Sequence, residues 1–284
     1  MKAVKSSPIV LISSIYKSLT KAEQKVADFV LTDPHEAVYS SVTDLAEKSG
    51  VGETSVIRFC RKLGFKGFQE FKLTVAQNLV SPEELVHGKL DEKDSADIMA
   101  RKITTQNIQI LEDTFNLVQK DKLEMAANVI LKAKKIYMYG VGSSGITAMD
   151  LKNRFMRLGL NVEAVSDSHF MAMSASLVSK DDVVIGISTS GSTKDIVEAI
   201  KIAKANNAHI ICLTNYALSP ITTHANITLL AAAREAPLQG GSFSAKIAQL
   251  QILEILITLI GLKQKKKSIE SIEKTAKAVL NKMY

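Results

Sequence analysis

Between Ile136 and Leu230, five short runs rich in β-branched residues alternate with helical stretches, and this alternation most restricts what the chain can fold into. The runs are Ile136 to Tyr139, Val162 to Val165, Val183 to Ser188, His209 to Thr214 and Ile227 to Leu230. Strands so spaced are joined by helices crossing a sheet face, because parallel neighbours cannot be linked by a tight turn. The pattern predicts a doubly wound α/β domain built on a parallel sheet.

Upstream the periodicity is helical throughout. Apolar residues recur at helical spacing in Ile9, Ile12, Ile15, Tyr16 and Leu19, then Ala22, Val26, Phe29 and Val30, then Val42, Leu45 and Ala46, then Val56, Phe59, Cys60 and Leu63. Thr20 with Glu23 spells a capping box, Thr43 or Ser41 can cap a later helix, and Pro34 stops the helix before it. The fold class is therefore α + α/β, an all-helical domain followed by a parallel-sheet domain. The polar segment from Ser81 to Asp94, with Pro82 and Gly88, marks the linker. The expected boundaries are a helical domain over 1–81, a linker and connecting helix over 82–122, the α/β domain over 123–265 and a last helix over 266–284. Two helical patterns, Ala96 to Val118 and Lys122 to Lys132, precede the first strand.

The 284 residues suit two domains, and 46% hydrophobic with 23% charged content is that of a soluble globular protein. Apolar stretches such as Val183 to Ile187 and Ile252 to Ile260 are too short or too interrupted for a bilayer, so no membrane span is expected and the protein is placed in the cytoplasm. Cys60 and Cys212 lie far apart without a Cys/His cluster, which predicts buried, reduced thiols and no metal or other cofactor. A net charge of +7 suits a polyanionic partner without requiring one.

Val42 to Gly64 has the layout of a helix-turn-helix. Leu45 and Ala46 point inward, Gly50 allows the turn, Val51 fills the corner, and Val56, Phe59 and Cys60 form the inner face of the second helix. Its early outward positions are Glu53, Thr54, Ser55 and Arg58. Thr54, Ser55 and Arg58 are the candidates for base edges, with Arg58 able to bond O6 and N7 of a guanine together. Arg61, Lys62, Lys66 and Lys72 form a basic edge suited to phosphates, which supply affinity rather than specificity. The alternative is a helical hairpin with solvated charges. The residues that follow, Leu63-Gly64-Phe65-Lys66-Gly67-Phe68-Gln69-Glu70-Phe71-Lys72, bring the segment close to the pattern T-x-x-R-F-C-R-x-L-G-F-x-G-F-x-E-F-K. In this the chain resembles the DNA-binding domain of the RpiR family of regulators. It departs at Gly52 and Glu53, where relatives usually carry Ser-Glu or Ser-Gln.

Two loops rich in glycine and serine stand where strands end and helices begin: Gly140-Val141-Gly142-Ser143-Ser144-Gly145 and Ser188-Thr189-Ser190-Gly191-Ser192-Thr193. Helix N-termini at the carboxyl ends of strands offer free amides, and the hydroxyls of Ser143, Ser144, Ser188, Thr189, Ser190 and Thr193 add neutral donors, a combination suited to a sugar phosphate. Gly140-x-Gly142-x-x-Gly145 also spells a dinucleotide fingerprint, with Asp167 as its acidic residue, but that fold has no use for a second serine loop. Ser144 and Thr193 can alternatively act as helix caps. The two loops in this order resemble the SIS (sugar isomerase) domain. The resemblance spans Leu123 to Leu262 and includes Ser242 to Leu250, where Lys246 stands in place of the usual arginine.

An isomerase would need a base, for which His169, Glu163, Glu235 and His224 are the candidates. A helix-turn-helix on the same chain instead implies, through the resemblance to RpiR regulators, a sensor and not an enzyme. The expected protein is a sequence-specific regulator of carbohydrate metabolism genes, controlled by a phosphorylated sugar or amino sugar that shifts the helices between Asp94 and Lys132. Its partners would be double-stranded DNA carrying a pseudo-palindromic operator and a second copy of itself, as a homodimer or homotetramer. The apolar stretch Ile247 to Leu259 serves equally as a subunit interface or as core. The competing functions are a phosphosugar isomerase with an accessory helical domain and a phosphosugar-binding adaptor.

Overall fold

The chain divides into two separately cored units, passing from the first to the second after Gln106, and the computed structural model describes residues 8–79, 91, 93–232 and 243–282. Most of the predicted linker, and Glu235 and Ser242, lie outside the described residues.

The first unit holds α1 (Pro8–Ile15), α2 (Lys21–Thr32), α3 (Pro34–Tyr39), α4 (Val42–Lys48), α5 (Glu53–Lys62) and α6 (Phe68–Leu79). Thr20 and Glu23 form the capping box: the Thr20 hydroxyl accepts from the Glu23 amide at 3.4 Å, and the Glu23 carboxylate accepts from the Thr20 amide at 2.8 Å. Two amides that a helix start leaves without partners are thereby satisfied. Pro34 closes α2 and also occupies the first position of α3, where its missing N–H removes no helical bond. Ser41, not Thr43, caps α4, accepting from the Asp44 amide at 3.0 Å. The core gathers Ile12, Val26, Val30, Leu45, Val56, Phe59 and Phe71, and Phe71 meets the rings of Phe59 and Phe65 edge to face at 5.6 and 5.5 Å.

The connecting helix α7 (Ala96–Asn116) is followed by α8 (Lys120–Lys132) and then by the alternating region. Its elements are β1 (Ile136–Tyr139), α9 (Ser143–Arg157), β2 (Val162–Val165), α10 (Ser168–Leu177), β3 (Val183–Ile187), α11 (Lys194–Ala205), β4 (His209–Thr214) and β5 (Ile227–Leu230). Two further helices, α12 (Phe243–Lys263) and α13 (Lys265–Val279), complete it. All four strand pairings are parallel and the order is β2-β1-β3-β4-β5. Strand β3 stops one residue short of the sequence pattern, because the Ser188 carbonyl turns to accept the Gly191 amide at 3.1 Å. Met138, Ile185 and Leu213 face one core with Ile130, Leu151, Phe155, Ile252 and Leu256. Val184, Ile210 and Cys212 face the other with Met171, Ala175, Ile196 and Ile200. Burial on both faces explains why these strands are continuously apolar rather than alternating.

At 21 residues α12 is long and apolar enough, by length and composition, to cross a membrane. Ala245, Ala248, Ile252, Leu253, Leu256 and Ile260 are nevertheless buried in the domain core, as in a core helix.

Both cysteines are buried, and burial pushes each thiol up to about 12. Because the thiolate is the reacting species, neither should react with an aromatic disulfide reagent at pH 8 in the native protein, and both should react in denaturant. Rapid release of chromophore from the native chain would contradict this.

Candidate functional site

The helix-turn-helix is formed by α4 and α5. Its turn passes through Gly50 at φ +63°, and the Val51 amide returns to the Ala46 carbonyl at 2.9 Å. Thr43 donates to the Glu53 carboxylate across the turn, which ties Glu53 to the preceding helix and withdraws it from the outward set. Gly52 occupies the N-cap without a side-chain bond, and its carbonyl accepts the Ser55 amide at 2.8 Å. Thr54, Arg58, Arg61 and Lys66 are exposed and Ser55 is half-buried. Among the described residues, Arg58, Arg61 and Lys66 carry no ion pair.

Two of the predicted basic contacts are committed inside the unit. Lys72 is buried, and its Nζ donates to the Ser40 carbonyl at the C-terminus of α3 at 3.0 Å. It falls on the inner stripe of α6 with Phe68, Phe71, Val75 and Ala76, and cannot belong to an outward basic edge. Lys62 donates to the Ser18 carbonyl at 2.6 Å and pairs with Glu23 at 3.1 Å. Burial alone would push the Glu23 carboxyl up, but the Thr20 amide and the Lys62 ammonium hold it below its ordinary value.

In the second unit, the connection after β1 runs towards β2 and the connection after β3 runs the other way, towards β4. Adjacent β1 and β3 are paired Tyr139 with Gly186, so both serine loops leave the sheet side by side at its switch point. Open α/β sheets take their ligands there. The loops start α9 and α11, whose N-caps are Gly142 and Thr193, and neither makes a side-chain capping bond. Capping therefore does not account for Ser144, which sits inside α9, or for Thr193. Gly142 holds φ +56° and Gly191 φ +63°, both in the left-handed region that favours glycine. Ser188 is nearly enclosed, and its hydroxyl meets that of Thr193 at 3.0 Å, bracing the second loop. Ser143, Thr189, Ser190 and Thr193 are half-buried, and Ser144 is at the edge of burial.

The other candidates fall elsewhere. Asp167 caps α10 by accepting the Phe170 amide at 2.9 Å, which accounts for it without a ribose. Glu163 is paired with Lys135 on β2, and His169 is exposed on the first turn of α10. Burial, with the nearby Lys201 and Lys204, lowers the pKa of His224. Two residues passed over as site candidates sit behind the loops, Thr147 and Gln249. The signal for Gln249 was available: it is a lone amide in the apolar run Ile247 to Leu250.

The model of the helix-turn-helix domain of the rpiR family matches residues 9–82, and that of the SIS domain matches residues 129–259. A Haemophilus influenzae protein named as an HTH-type transcriptional regulator is 40% identical over 248 residues, covering 86% of either chain. The HTH-type transcriptional regulator RpiR of Escherichia coli is 29% identical, covering 84% of this chain and 80% of its own. Among solved structures, the Vibrio vulnificus NanR protein complexed with ManNAc-6P has a TM-score of 0.88 at 28% identity, covering 98% of this chain and all of its own.

Proposed function

The chain belongs to the RpiR family of helix-turn-helix transcriptional regulators and carries a SIS domain, and we propose that it regulates carbohydrate metabolism genes under control of a phosphosugar held between its two serine loops. The observation that carries the effector reading is the pairing of both loops at the switch point of the sheet. Amides at the starts of α9 and α11 meet the phosphoryl oxygens, with Ser143, Ser144, Thr189, Ser190 and Thr193 adding hydroxyls and Ser188 bracing the second loop. The NanR neighbour was solved with ManNAc-6P, which makes amino-sugar phosphates the first probes.

In the helical unit, α5 enters the major groove. Thr54, Ser55 and Arg58 face base edges, and Arg61 and Lys66 meet phosphates. Pairing of two chains is supported by α7. Of its residues only Thr114 is buried, while Ile98, Ile103, Ile108 and Phe115 lie exposed, apolar surface that a second chain can cover. A two-fold pair presents two copies of α5 to half-sites about 34–36 Å apart on a pseudo-palindrome.

The test is capture of genomic fragments by the purified full-length protein at two salt concentrations, with ManNAc-6P and a panel of hexose phosphates. Enrichment of one pseudo-palindrome, loosened or tightened by one sugar phosphate, is expected. Enrichment no better than bulk DNA under every condition would overturn the reading. On the captured site, Arg58→Ala should cost about 1–3 kcal/mol and relax the preference at one base pair, while Lys66→Ala should weaken all sequences alike and lower the salt slope by about one. Gel-shift titrations at several salt concentrations separate the two behaviours.

A further inference from the structure

The two serine loops are joined through a third element, α12. Lys246 donates through Nζ to the Ser143 carbonyl and, at 2.7 Å, to the Thr147 hydroxyl. Three residues further along the helix, Gln249 reaches both loops: its Oε1 lies 3.3 Å from Thr147 Oγ1 and its Nε2 lies 3.0 Å from Thr189 Oγ1. Thr147 and Gln249 are 1% and 2% exposed, so water does not compete for these bonds.

The direction of the chain follows from what each group can do. An ammonium only donates, so the Thr147 oxygen accepts and its single hydrogen must find an acceptor. Two are in reach, the Ser143 carbonyl at 3.4 Å, which also accepts from Lys246, and Gln249 Oε1, the nearer of the two at 3.3 Å. A carboxamide whose oxygen takes that hydrogen has only its NH2 to offer Thr189. The Thr189 oxygen therefore accepts, and its own hydrogen is left to donate.

We propose that Lys246, Thr147 and Gln249 form a one-way hydrogen-bond relay that presets the Thr189 hydroxyl as a donor, so that the site favours a phosphoryl oxygen there. All three are positioning residues that act through Thr189 without touching the ligand. The positive end of the relay also polarises each bond towards the anion, in the sense that strengthens the last one. This inference rests on the serine loops being the phosphosugar site.

The test is calorimetric titration of the full-length protein with inorganic phosphate and with a panel of sugar phosphates that includes ManNAc-6P, alongside thermal melting without ligand. Thr147→Val and Lys246→Met should each weaken binding at least about fivefold, the worth of one hydrogen bond. A Thr147→Val, Gln249→Met double variant should be no weaker than either single one, because both cut the same relay, whereas Lys246 also holds the Ser143 carbonyl. Thr147→Ser keeps the hydroxyl and should restore affinity. If Thr147→Val fails to fold, Gln249→Met cuts the next link and carries the same expectation. Additive losses, or wild-type affinity in a folded Thr147→Val or Gln249→Met, would overturn the relay while leaving the site intact. Failure of the wild-type chain to bind phosphate or any sugar phosphate removes the site, and the relay with it.

Discussion

Phe59→Ala is expected to remove about 3–5 kcal/mol from the stability of the helical unit, the range for emptying a buried aromatic site. Phe59 is fully buried on the inner face of α5 with Val56 and Cys60, and it meets the Phe71 ring edge to face at 5.6 Å. The lost volume is flanked by residues from other helices that cannot all collapse into it, so a cavity penalty adds to the lost transfer energy. The neighbouring Arg58 is the control, since it is exposed and makes no ion pair among the described residues. Phe59→Ala should lower the denaturation midpoint and lose DNA through unfolding, whereas Arg58→Ala should lose DNA with the midpoint unchanged. Chemical denaturation followed by circular dichroism decides it. A Phe59→Ala unfolding free energy within about 1 kcal/mol of wild type would mean that α5 is not seated as described.

Local pattern made most of the fold legible, because the decisive interactions were short in sequence. All five strands lie where the β-branched runs put them, and the central β3, buried on both faces, is apolar throughout. The capping box at Thr20 needs only residues three apart, and the loops at Gly140 and Ser188 follow from glycines placed after strands. Lys72 departs from the expected basic edge for an instructive reason. As a cation next to Phe71 it matches a basic edge by composition, yet its spacing from Phe68 and Val75 puts it on the buried stripe, where it serves the carbonyl end of α3. Periodicity should have outweighed charge there. The relay behind the loops was illegible for another reason: Lys246 meets Ser143, and Gln249 meets Thr189, only once α12 has packed on the sheet. No local pattern encodes contacts between residues that far apart in sequence.

The second large effect is expected at Gly191, where the serine loop is pressed against the segment that follows β4. Gly191 holds φ +63°, and its carbonyl accepts the Ile221 amide at 2.9 Å. A Cβ built there would stand 2.1 Å from Ser219 Oγ and 2.5 Å from Ser219 Cβ. Ser219 is fully buried and its hydroxyl donates to the Tyr216 carbonyl at 3.3 Å, so it cannot swing aside freely. Gly191→Ala therefore meets two separate costs, roughly 1–2 kcal/mol for the left-handed backbone and about 1–3 kcal/mol for the overpacking. If the loop relieves them by moving, Ser188, Thr189 and Ser190 lose their registry with the start of α9, and affinity for the phosphosugar should fall more than about tenfold, since each 1.4 kcal/mol is a factor of ten. The two costs can be separated by adding Ser219→Gly, which removes the two nearest atoms, leaving only Thr214 Oγ1 at 3.0 Å, and leaves φ where it was. The double variant should recover most of the packing share of the lost stability and retain the backbone share. Wild-type melting and wild-type phosphosugar binding in Gly191→Ala would show that neither the turn nor its brace sets the shape of the site.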